Sequence, residues 1–430
     1  MTEFTNRTTF QLSGGRELLN ASKVETLLQE WVGVNPTHIK LSNKSFDVEA
    51  ATKIAEFFQQ ITSNIEVADI SDIIAGRPEE EALKVLRIIT NSLQRFELTE
   101  VNVSDNAMGA KGVDACKEIL KGKKIQKLYV CNDGLSAEAS ELLADILLSD
   151  GVAPLTLFHF YNNMGGNGSG VAISRIITAC KALEDLRYSA TRCMADGCLA
   201  IATAIGSVDG LKRIDLSDNN FGLRACEVLA QGLKNHTRLE HLNLRDAGFG
   251  DDGIEAFVNI LKDTVFPHLT FLDLSGNEIN EENMEVVVEW LGKAVPSLQT
   301  LYLDDNEIGS DGAILLTRSI PRLSSLQHLS LTTAEITGKG GFLLAKAVAK
   351  VATFQKLDLN GNALAPRAVE EITEVLTKAQ KRLGDLEDND EDGEDDLSEI
   401  EEESEEDEDE KEQPDEEADA LADALKDAKI

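Results

Sequence analysis

The stretch LKRIDLSDNNFGLRACEVLAQGLKNHTR, Leu211 to Arg238, sets a pattern that most of the chain repeats. Its first half carries apolar residues at Leu211, Ile214 and Leu216 and then Asn219, in the spacing L-x-x-L-x-L-x-x-N. Its second half carries apolar residues three and four positions apart, which is the spacing of an amphipathic helix. The stretch therefore predicts a short strand followed by a helix that returns the chain.

Equivalent units begin at intervals of 27 to 30 residues, and this period is typical of a leucine-rich repeat. The unit starts are Leu98, Ile125, Leu155, Leu183, Leu211, Leu239, Leu269, Leu298, Leu326 and Phe354. No unit can bury its apolar face alone, so the units must stack. The predicted fold class is α/β, a leucine-rich-repeat solenoid in a ribonuclease-inhibitor-like arc, with a parallel sheet on the concave face and helices on the convex face.

Three regions are predicted along the chain. Residues 1–36 precede the regular array and cap it, with an amphipathic helix from Ala21 to Val32. Residues 37–384 form the repeat domain of about 12 units, of which the first two, around His38 to Phe46 and Ile65 to Arg77, are irregular. Residues 385–430 contain 26 acidic residues and three lysines, which is −23 of the net charge of −36. This composition predicts a disordered acidic tail.

Several function classes are not predicted. No apolar run approaches the roughly 18 residues that span a bilayer, so no membrane insertion is expected. The six cysteines form no C-x-x-C pair, which favours reduced thiols. The glycine-rich segments at Phe158 to Gly170 and Gly338 to Gly341 lack the frame of a phosphate-binding loop. Neither a metal site, a bound cofactor, a nucleic-acid interface nor a catalytic nucleophile is predicted, so the chain is not expected to be an enzyme.

Asparagines recur in six of the ten units at the turn after the strand, in what we call the ladder slot. A buried asparagine there hydrogen-bonds the turn backbone of its own and the adjacent repeat, so a structural role is predicted. The ladder asparagines are Asn106, Asn163, Asn219, Asn277, Asn306 and Asn362.

The second irregular repeat departs from this pattern after its strand. Pro78 fits the first position of a helix, and the glutamates that follow suit the positive end of the helix dipole. Arg77 then lies in the loop before the helix. One interpretation is an ion pair between Arg77 and the neighbouring glutamates. The other is a guanidinium that is presented to a phosphate or to a carboxylate of a partner.

The repeat that begins at Ile125 reads IQKLYVCNDGLS, and it places Asp133 in the ladder slot. Asn132 falls one position earlier, where a side chain faces outward, and is either a solvated loop amide or a functional group. Tyr129 in this strand and His159 and Tyr161 in the next are predicted to form an aromatic patch. Aromatic residues are enriched at protein interfaces.

The later repeats carry aspartates at outward or strand-exit positions, namely Asp215, Asp218, Asp246, Asp273, Asp304, Asp305 and Asp358. This acidic row suits a basic partner, or else it serves only solubility. The predicted partner surface joins the aromatic patch to acidic groups of the row and of the earlier repeats, namely Asp105, Asp133, Asp218, Asp246 and Asp305.

Several segments resemble the Ran GTPase-activating proteins, and the likeness covers most of the chain. They are SDIIAGRPEEEAL at Ser71 to Leu83, Ser104-Asp105-Asn106-Ala107, LYVCNDGL at Leu128 to Leu135, and the acidic tail. The first is most similar to the plant branch. The Trp-Pro-Pro motif of that branch's targeting domain is not found, since Trp31 is followed by Val32 and Gly33.

The resemblance implies a monomeric activator of GTP hydrolysis on Ran, in the cytoplasm or at the nuclear envelope, that supports nucleocytoplasmic transport. Ran in its GTP form holds the nucleotide and Mg²⁺, and its own glutamine orients the attacking water. By the resemblance, Asn132 positions the switch residues of Ran, and Arg77 docks Ran or orients the loop. An arginine-finger role for Arg77 stays open. So does the presence of a further Ran-binding protein in the complex. The alternative is an acidic histone chaperone in which the tail binds.

Overall fold

The computed structural model describes residues 8–121, 124–149, 151, 154–390, 392–393 and 396–397. Within these residues, short strands alternate with helices, and each helix packs on the next along the chain. Fourteen strands form a single sheet whose order follows the chain, and every pair in it is parallel. The predicted fold class, an α/β solenoid of stacked repeats, is confirmed.

The strands of the main sheet, in their spatial order, are β1 (Thr9–Gln11), β3 (His38–Lys40), β5 (Val67–Asp69), β6 (Glu100–Asn102), β7 (Lys127–Tyr129), β8 (Leu157–Tyr161), β9 (Asp185–Ser189), β10 (Arg213–Asp215), β11 (His241–Asn243), β12 (Phe271–Asp273), β13 (Thr300–Tyr302), β14 (His328–Ser330), β15 (Lys356–Asp358) and β16 (Arg382–Leu383). A separate pair joins β2 (Glu17–Leu19) to β4 (Lys44–Phe46).

The helices are α1 (Ala21–Leu28), α2 (Val48–Gln60), α3 (Glu79–Leu93), α4 (Gly109–Ala115), α5 (Lys117–Leu120), α6 (Ala137–Leu148), α7 (Gly166–Ala179), α8 (Ala195–Gly206), α9 (Gly222–Leu233), α10 (Gly250–Leu261), α11 (Glu281–Ala294), α12 (Gly309–Leu316), α13 (Gly338–Ala349) and α14 (Pro366–Lys378). Short 3-10 turns lie at Gln29–Trp31 and Ile320–Arg322.

The repeat from Leu211 shows how the sequence pattern builds one unit. In β10, Ile214 is buried while the residues on either side are not, because side chains alternate across a strand. In α9, Ala225, Leu229 and Leu233 are among the buried residues, which places one helix face in the core. The core therefore runs continuously between the sheet and the helices through all the repeats.

The ladder slot carries a continuous set of hydrogen bonds. Asn277, for example, donates from Nδ2 to the carbonyl of Leu274 in its own turn and to that of Leu244 in the preceding repeat. The backbone N–H of Asn277 in turn donates to Oδ1 of Asn306 at 3.0 Å. All six ladder asparagines are buried. These bonds satisfy turn carbonyls that would otherwise be buried without a donor.

The N-terminal segment closes the core of the first repeat. β1 pairs with β3, and Phe10 packs on Trp31, Phe57 and Phe58 with ring centroids 4.9 to 5.9 Å apart. The helix predicted from Ala21 to Val32 begins at Ala21 and ends at Leu28. Asn20 caps it, because its side chain accepts the backbone N–H of Lys23.

The predicted tail boundary after Gly384 falls inside a segment that contacts the last repeats. Asn389 exchanges two hydrogen bonds with the backbone of Leu364, and Asp396 accepts the backbone N–H of Lys339 at 2.8 Å. Leu397 is buried. The rest of the predicted acidic tail lies outside the described residues. Within them, no helix is long and apolar enough to cross a membrane.

Candidate functional site

Three polar residues line up where β6, β7 and β8 end, and we call them the exit row: Asp105, Asn132 and Asn162. Each has a positive φ, of 62°, 55° and 54° respectively, and each is exposed. Asparagine and aspartate tolerate this left-handed conformation better than other side chains with a Cβ. The same turn recurs in later repeats, for example at Asp218 and Thr333.

The exit row is joined by hydrogen bonds between neighbouring repeats. Asn162 Nδ2 donates to Asn132 Oδ1, and Asn132 Nδ2 donates to Asp105 Oδ1, each at 2.9 Å. The backbone N–H of Asn132 also donates to the carbonyl of Tyr161 at 2.9 Å. The carboxylate of Asp105 cannot donate, so the orientation of both amides is fixed. Asn132 keeps one N–H and one oxygen lone pair for another molecule.

A polar cleft of about 430 Å³ opens beside the exit row. Its lining residues are Arg16, Ser42, Asn43, Ser71, Asp72, Asp105 and Asn132. Arg16 donates from its guanidinium to Asp72 at 2.8 Å, and its side chain is 63% exposed while that of Asp72 is 14% exposed. A cationic group therefore stands at the edge of this cleft.

The position of Arg16 depends on a buried lysine. The ammonium group of Lys44 donates to the carbonyls of Ser13, Gly14 and Gly15, and its side chain is only 3% exposed. Three carbonyl acceptors compensate for the desolvation of this charge. They hold the loop that precedes Arg16 against the first repeat.

Arg77 lies one repeat away, but its guanidinium is turned inward. Its Nε donates to Ser45 Oγ at 3.0 Å and its terminal nitrogen donates to the Ser45 carbonyl at 2.9 Å. A weaker ion pair joins it to Glu81 at 3.7 Å, and the side chain is 14% exposed. The predicted pair between Arg77 and a neighbouring glutamate is thus present. The loop of Arg77 lines a second cleft of about 330 Å³, which Asp105 and Asn106 also line.

The three aromatic residues are neighbours on the sheet. The rings of Tyr129 and His159 meet edge to face, with centroids 5.3 Å apart. His159 Nε2 lies 2.9 Å from Asp185 Oδ1. The guanidinium of Arg187 lies 3.7 Å above the Tyr161 ring. Each ring is half-buried, so its remaining surface is available to a partner.

The acidic positions of the later repeats divide into two kinds. Asp218, Asp246 and Asp305 are exposed at the strand exits. Asp273 is buried, and burial raises the pKa of its carboxyl group. Arg245 pairs with both Asp246 and Asp305, so the row carries less net negative charge than its count of aspartates indicates.

Asp133 does not reach the surface. Its side chain is fully buried, and its Oδ1 accepts the backbone N–H of Asn106 at 2.9 Å. Burial, with the nearby carboxylate of Asp105, raises the pKa of Asp133 well above its usual range, although the Asn106 bond lowers it. The expectation that Asp133 contacts a partner directly was wrong, because a residue in the ladder slot points into the turn.

Comparison with known proteins supports the interpretation of the repeats. A family profile described as Leucine Rich repeat matches residues 97–115, 235–258, 267–282 and 296–316. The fold is the leucine-rich-repeat solenoid. The alignment with a solved internalin from Listeria monocytogenes covers 82% of this chain and 80% of the internalin chain, at 13% identity and a TM-score of 0.47.

Three curated relatives are named as Ran GTPase-activating proteins, two from a plant and one from a yeast. RAN GTPase-activating protein 2 of Arabidopsis thaliana is 38% identical over 126 residues, which is 28% of this chain and 23% of the relative. Ran GTPase-activating protein 1 of Saccharomyces cerevisiae is 23% identical over 325 residues, which is 71% of this chain and 80% of the relative. The match thus spans less than a quarter of the plant relative and most of the yeast one.

Sequence reasoning missed two members of this leucine-rich-repeat site. Asn162 could have been found, since it precedes the ladder residue Asn163 as Asn132 precedes Asp133. Arg16 gave no signal in the sequence. It reaches the cleft only because Lys44, far along the chain, holds the preceding loop.

The exit row and the cleft beside it carry amide, guanidinium and carboxylate groups. All six cysteines are buried, and burial raises the pKa of Cys131 to about 11, so this thiol is a poor nucleophile at neutral pH. Among the described residues, no group of three or more His, Cys, Asp or Glu could hold a metal ion. What the site can supply is a fixed amide beside a guanidinium and two carboxylates.

Proposed function

We propose that this chain is a GTPase-activating protein for the Ran GTPase, and that it acts by positioning groups on Ran. The observation that carries the proposal is the similarity to Ran GTPase-activating proteins of a plant and a yeast. The exit row adds support, because its hydrogen bonds hold an exposed amide in one orientation. The chain itself would not be the enzyme, since Ran would hold GTP and Mg²⁺ and orient the attacking water with its own glutamine.

Asn132 is the residue to which we assign the catalytic effect. Its amide is fixed between Asp105 and Asn162, so a partner meets a preorganised donor and acceptor. Groups that need no reorganisation stabilise a transition state most efficiently. In this proposal, the free N–H and lone pair of Asn132 hold the switch residues of Ran so that its glutamine stays in the productive orientation.

The two arginines near the site have different proposed roles. Arg77 orients its loop, because its guanidinium is used by Ser45, Leu19 and Glu81. Those contacts argue against its use as an arginine finger, which must reach the nucleotide. Arg16 stands at the cleft and is mostly exposed, so we assign to it the docking of an acidic group of Ran.

The proposed Ran-binding surface runs along the sheet and its exit edge. It comprises the aromatic patch of Tyr129, His159 and Tyr161 and the exposed carboxylates Asp105, Asp218, Asp246 and Asp305. Half-buried aromatic side chains give contact area at a small cost in entropy. The aspartates suit a basic surface on Ran in its GTP form. Asp133 is left out of this surface because it is buried.

The wider setting follows from the same proposal. An activator of Ran supports nucleocytoplasmic transport from the cytoplasm or the nuclear envelope, as a monomer, and no nucleic acid is needed. A Ran-binding protein in the same complex stays an open part of the proposal. The chain needs no cofactor of its own.

The test is a single-turnover assay with the full chain and Ran loaded with GTP. Hydrolysis should accelerate with the concentration of the chain and then reach a plateau. No acceleration at any concentration, with Ran shown to respond to another activator, would overturn the proposal. Histone binding that depends on residues 398–430, together with that result, would favour the acidic chaperone.

A further inference from the structure

One ladder slot differs from the others in its chemistry. Of the ten units that begin at Leu98 to Phe354, six hold an asparagine in the ladder slot, three hold the uncharged residues Thr191, Ala247 and Ala334, and the repeat that carries Asn132 holds Asp133. The side chain of Asp133 is fully buried, and its Oδ2 has no hydrogen-bond partner among the described residues. A buried carboxyl oxygen without a donor or acceptor costs free energy, so its state needs a physical explanation.

The neighbouring slots show what the missing contact should be. Asn106 Oδ1 accepts the backbone N–H of Ile73 at 2.9 Å, and Asp133 Oδ1 accepts that of Asn106 at the same distance. Asn106 Nδ2 donates to the carbonyls of Val103 and Ile70, at 2.7 and 2.9 Å. If the slots are equivalent, Oδ2 of Asp133 takes the place of the amide donor that lies among carbonyl oxygens in an asparagine slot such as that of Asn106.

An ionised carboxylate is the wrong group for this place. It would set a negative charge against carbonyl dipoles in a buried site, where such repulsion is weakly screened. A neutral carboxylic acid instead offers one O–H donor and keeps Oδ1 as an acceptor, as the amide of asparagine does. We infer that Asp133 is held as a carboxylic acid in the folded chain, and that its hydroxyl secures the turn that positions Asn132.

The surroundings of Asp133 agree with this assignment. Burial is the main cause that raises its pKa, the Asp105 carboxylate adds to it, and the backbone N–H of Asn106 opposes it. The titratable groups that face it are Asp105, Cys116 and Cys131. Burial is the main cause that raises the pKa of both thiols, to about 11 for Cys131. No cationic side chain is among the groups that act on Asp133 in the described residues.

The inference has a consequence for stability with a definite sign. The pKa of Asp133 is higher in the folded chain than the value of about 3.9 expected when unfolded. Between these two values the folded state binds one more proton than the unfolded state. The stability that protonated Asp133 contributes is complete below its pKa in the unfolded chain, and it is lost as pH rises through its pKa in the folded chain. Each pH unit in this window changes the unfolding equilibrium constant up to tenfold, or about 1.4 kcal/mol.

The experiment compares the full chain with D133N, which supplies the amide donor at every pH. Urea unfolding is measured for both from pH 4 to pH 9, and the ratio of their unfolding constants is plotted. As pH rises, the unfolding constant of D133N should fall relative to that of the natural chain, by up to tenfold per pH unit. The ratio should then level off. A second variant, N219D, places the same carboxyl group in a ladder slot that normally holds asparagine. Its free energy of unfolding should decrease as pH rises.

A direct readout uses infrared spectroscopy. At pH 6 the natural chain should show the C=O stretch of a protonated carboxyl group that is absent from D133N. A ratio that does not change with pH, or an ionised Asp133 at pH 6, overturns the inference. Neither measurement uses Ran, so their failure is separate from failure of the proposed function.

The link to activity rests on the proposed function. If Asp133 positions Asn132, the stimulated GTPase rate of the natural chain should fall with rising pH more steeply than that of D133N, after correction for Ran alone. Parallel pH profiles of the two chains would overturn the positioning role.

Discussion

The exit row gives a sharp prediction about Asn132. Asn132→Gly removes the amide, and glycine adopts a φ of 55° without strain. Asn132→Ala removes the same amide but places a Cβ in the left-handed region, which costs roughly 1–2 kcal/mol relative to an ordinary backbone conformation. Comparison of the two variants separates the loss of the amide from strain in the turn.

The magnitudes follow from the hydrogen bonds. Both variants lose the exposed bonds to Asp105 and Asn162, which contribute at most about 1 kcal/mol each to folding. In the complex, loss of the free N–H leaves a buried group of Ran without its partner, at a cost of about 1–3 kcal/mol. At about 1.4 kcal/mol per factor of ten, the maximal stimulated rate should fall roughly 5- to 150-fold.

The assay measures stimulated GTP hydrolysis against the concentration of each variant, beside direct binding to Ran with a non-hydrolysable GTP analogue. Binding should change little and the plateau rate should fall in both variants, because the proposed function has the amide act mainly in the transition state. The control is Thr333→Gly, which changes the equivalent exit turn of a distant repeat. A full plateau rate for Asn132→Gly would refute the assignment.

Three further predictions concern the surroundings of the site. Arg77→Ala should lower the free energy of unfolding by about 2 kcal/mol, since charged hydrogen bonds to Ser45 are lost. Arg16→Ala should leave thermal unfolding nearly unchanged and should weaken Ran binding. Equal unfolding curves for Arg77→Ala and the exposed control Arg87→Ala would contradict this. Association with Ran, followed by stopped flow, should slow as salt rises, because exposed charges are screened over about 8 Å at physiological ionic strength; a rate independent of salt would argue against steering. Removal of residues 398–430 should preserve both the stimulated rate and thermal stability. Removal of residues 385–430 should lower thermal stability, since Asn389 and Asp396 contact the last repeats. Equal melting temperatures for the two truncations would contradict the second half of this prediction.

The repeats were predictable because one local pattern determines both the strand and its stacking. Ile214 and Leu216 in the first half of the unit are buried as the alternation requires, and the helix buries the face that its spacing defines. Errors of this reasoning concentrate at the ends. Asn389 repeats the contacts of a ladder asparagine, but it lies within an acidic stretch, so composition concealed it.

The candidate site was predictable only where it belongs to the repeat. Asn132 follows from counting positions along one strand, and its neighbours Asp105 and Asn162 occupy the same position in adjacent repeats. Arg77 also follows from the sequence, but the direction of its guanidinium does not, because Ser45 and Leu19 belong to other repeats. Contacts between distant parts of the chain carry no local periodicity, and these contacts decide which arginine is exposed.

The exit row also explains why positioning of this kind suits a solenoid. The amide of Asn132 is fixed by side chains from the repeats before and after it, and the backbone beneath it is fixed by the ladder slots. Together these contacts require three adjacent repeats that are stacked in register. A repeat protein holds such a group rigidly because neighbouring units share one core. The same coupling makes the proposed site sensitive to substitutions that loosen stacking, even where they touch none of its side chains.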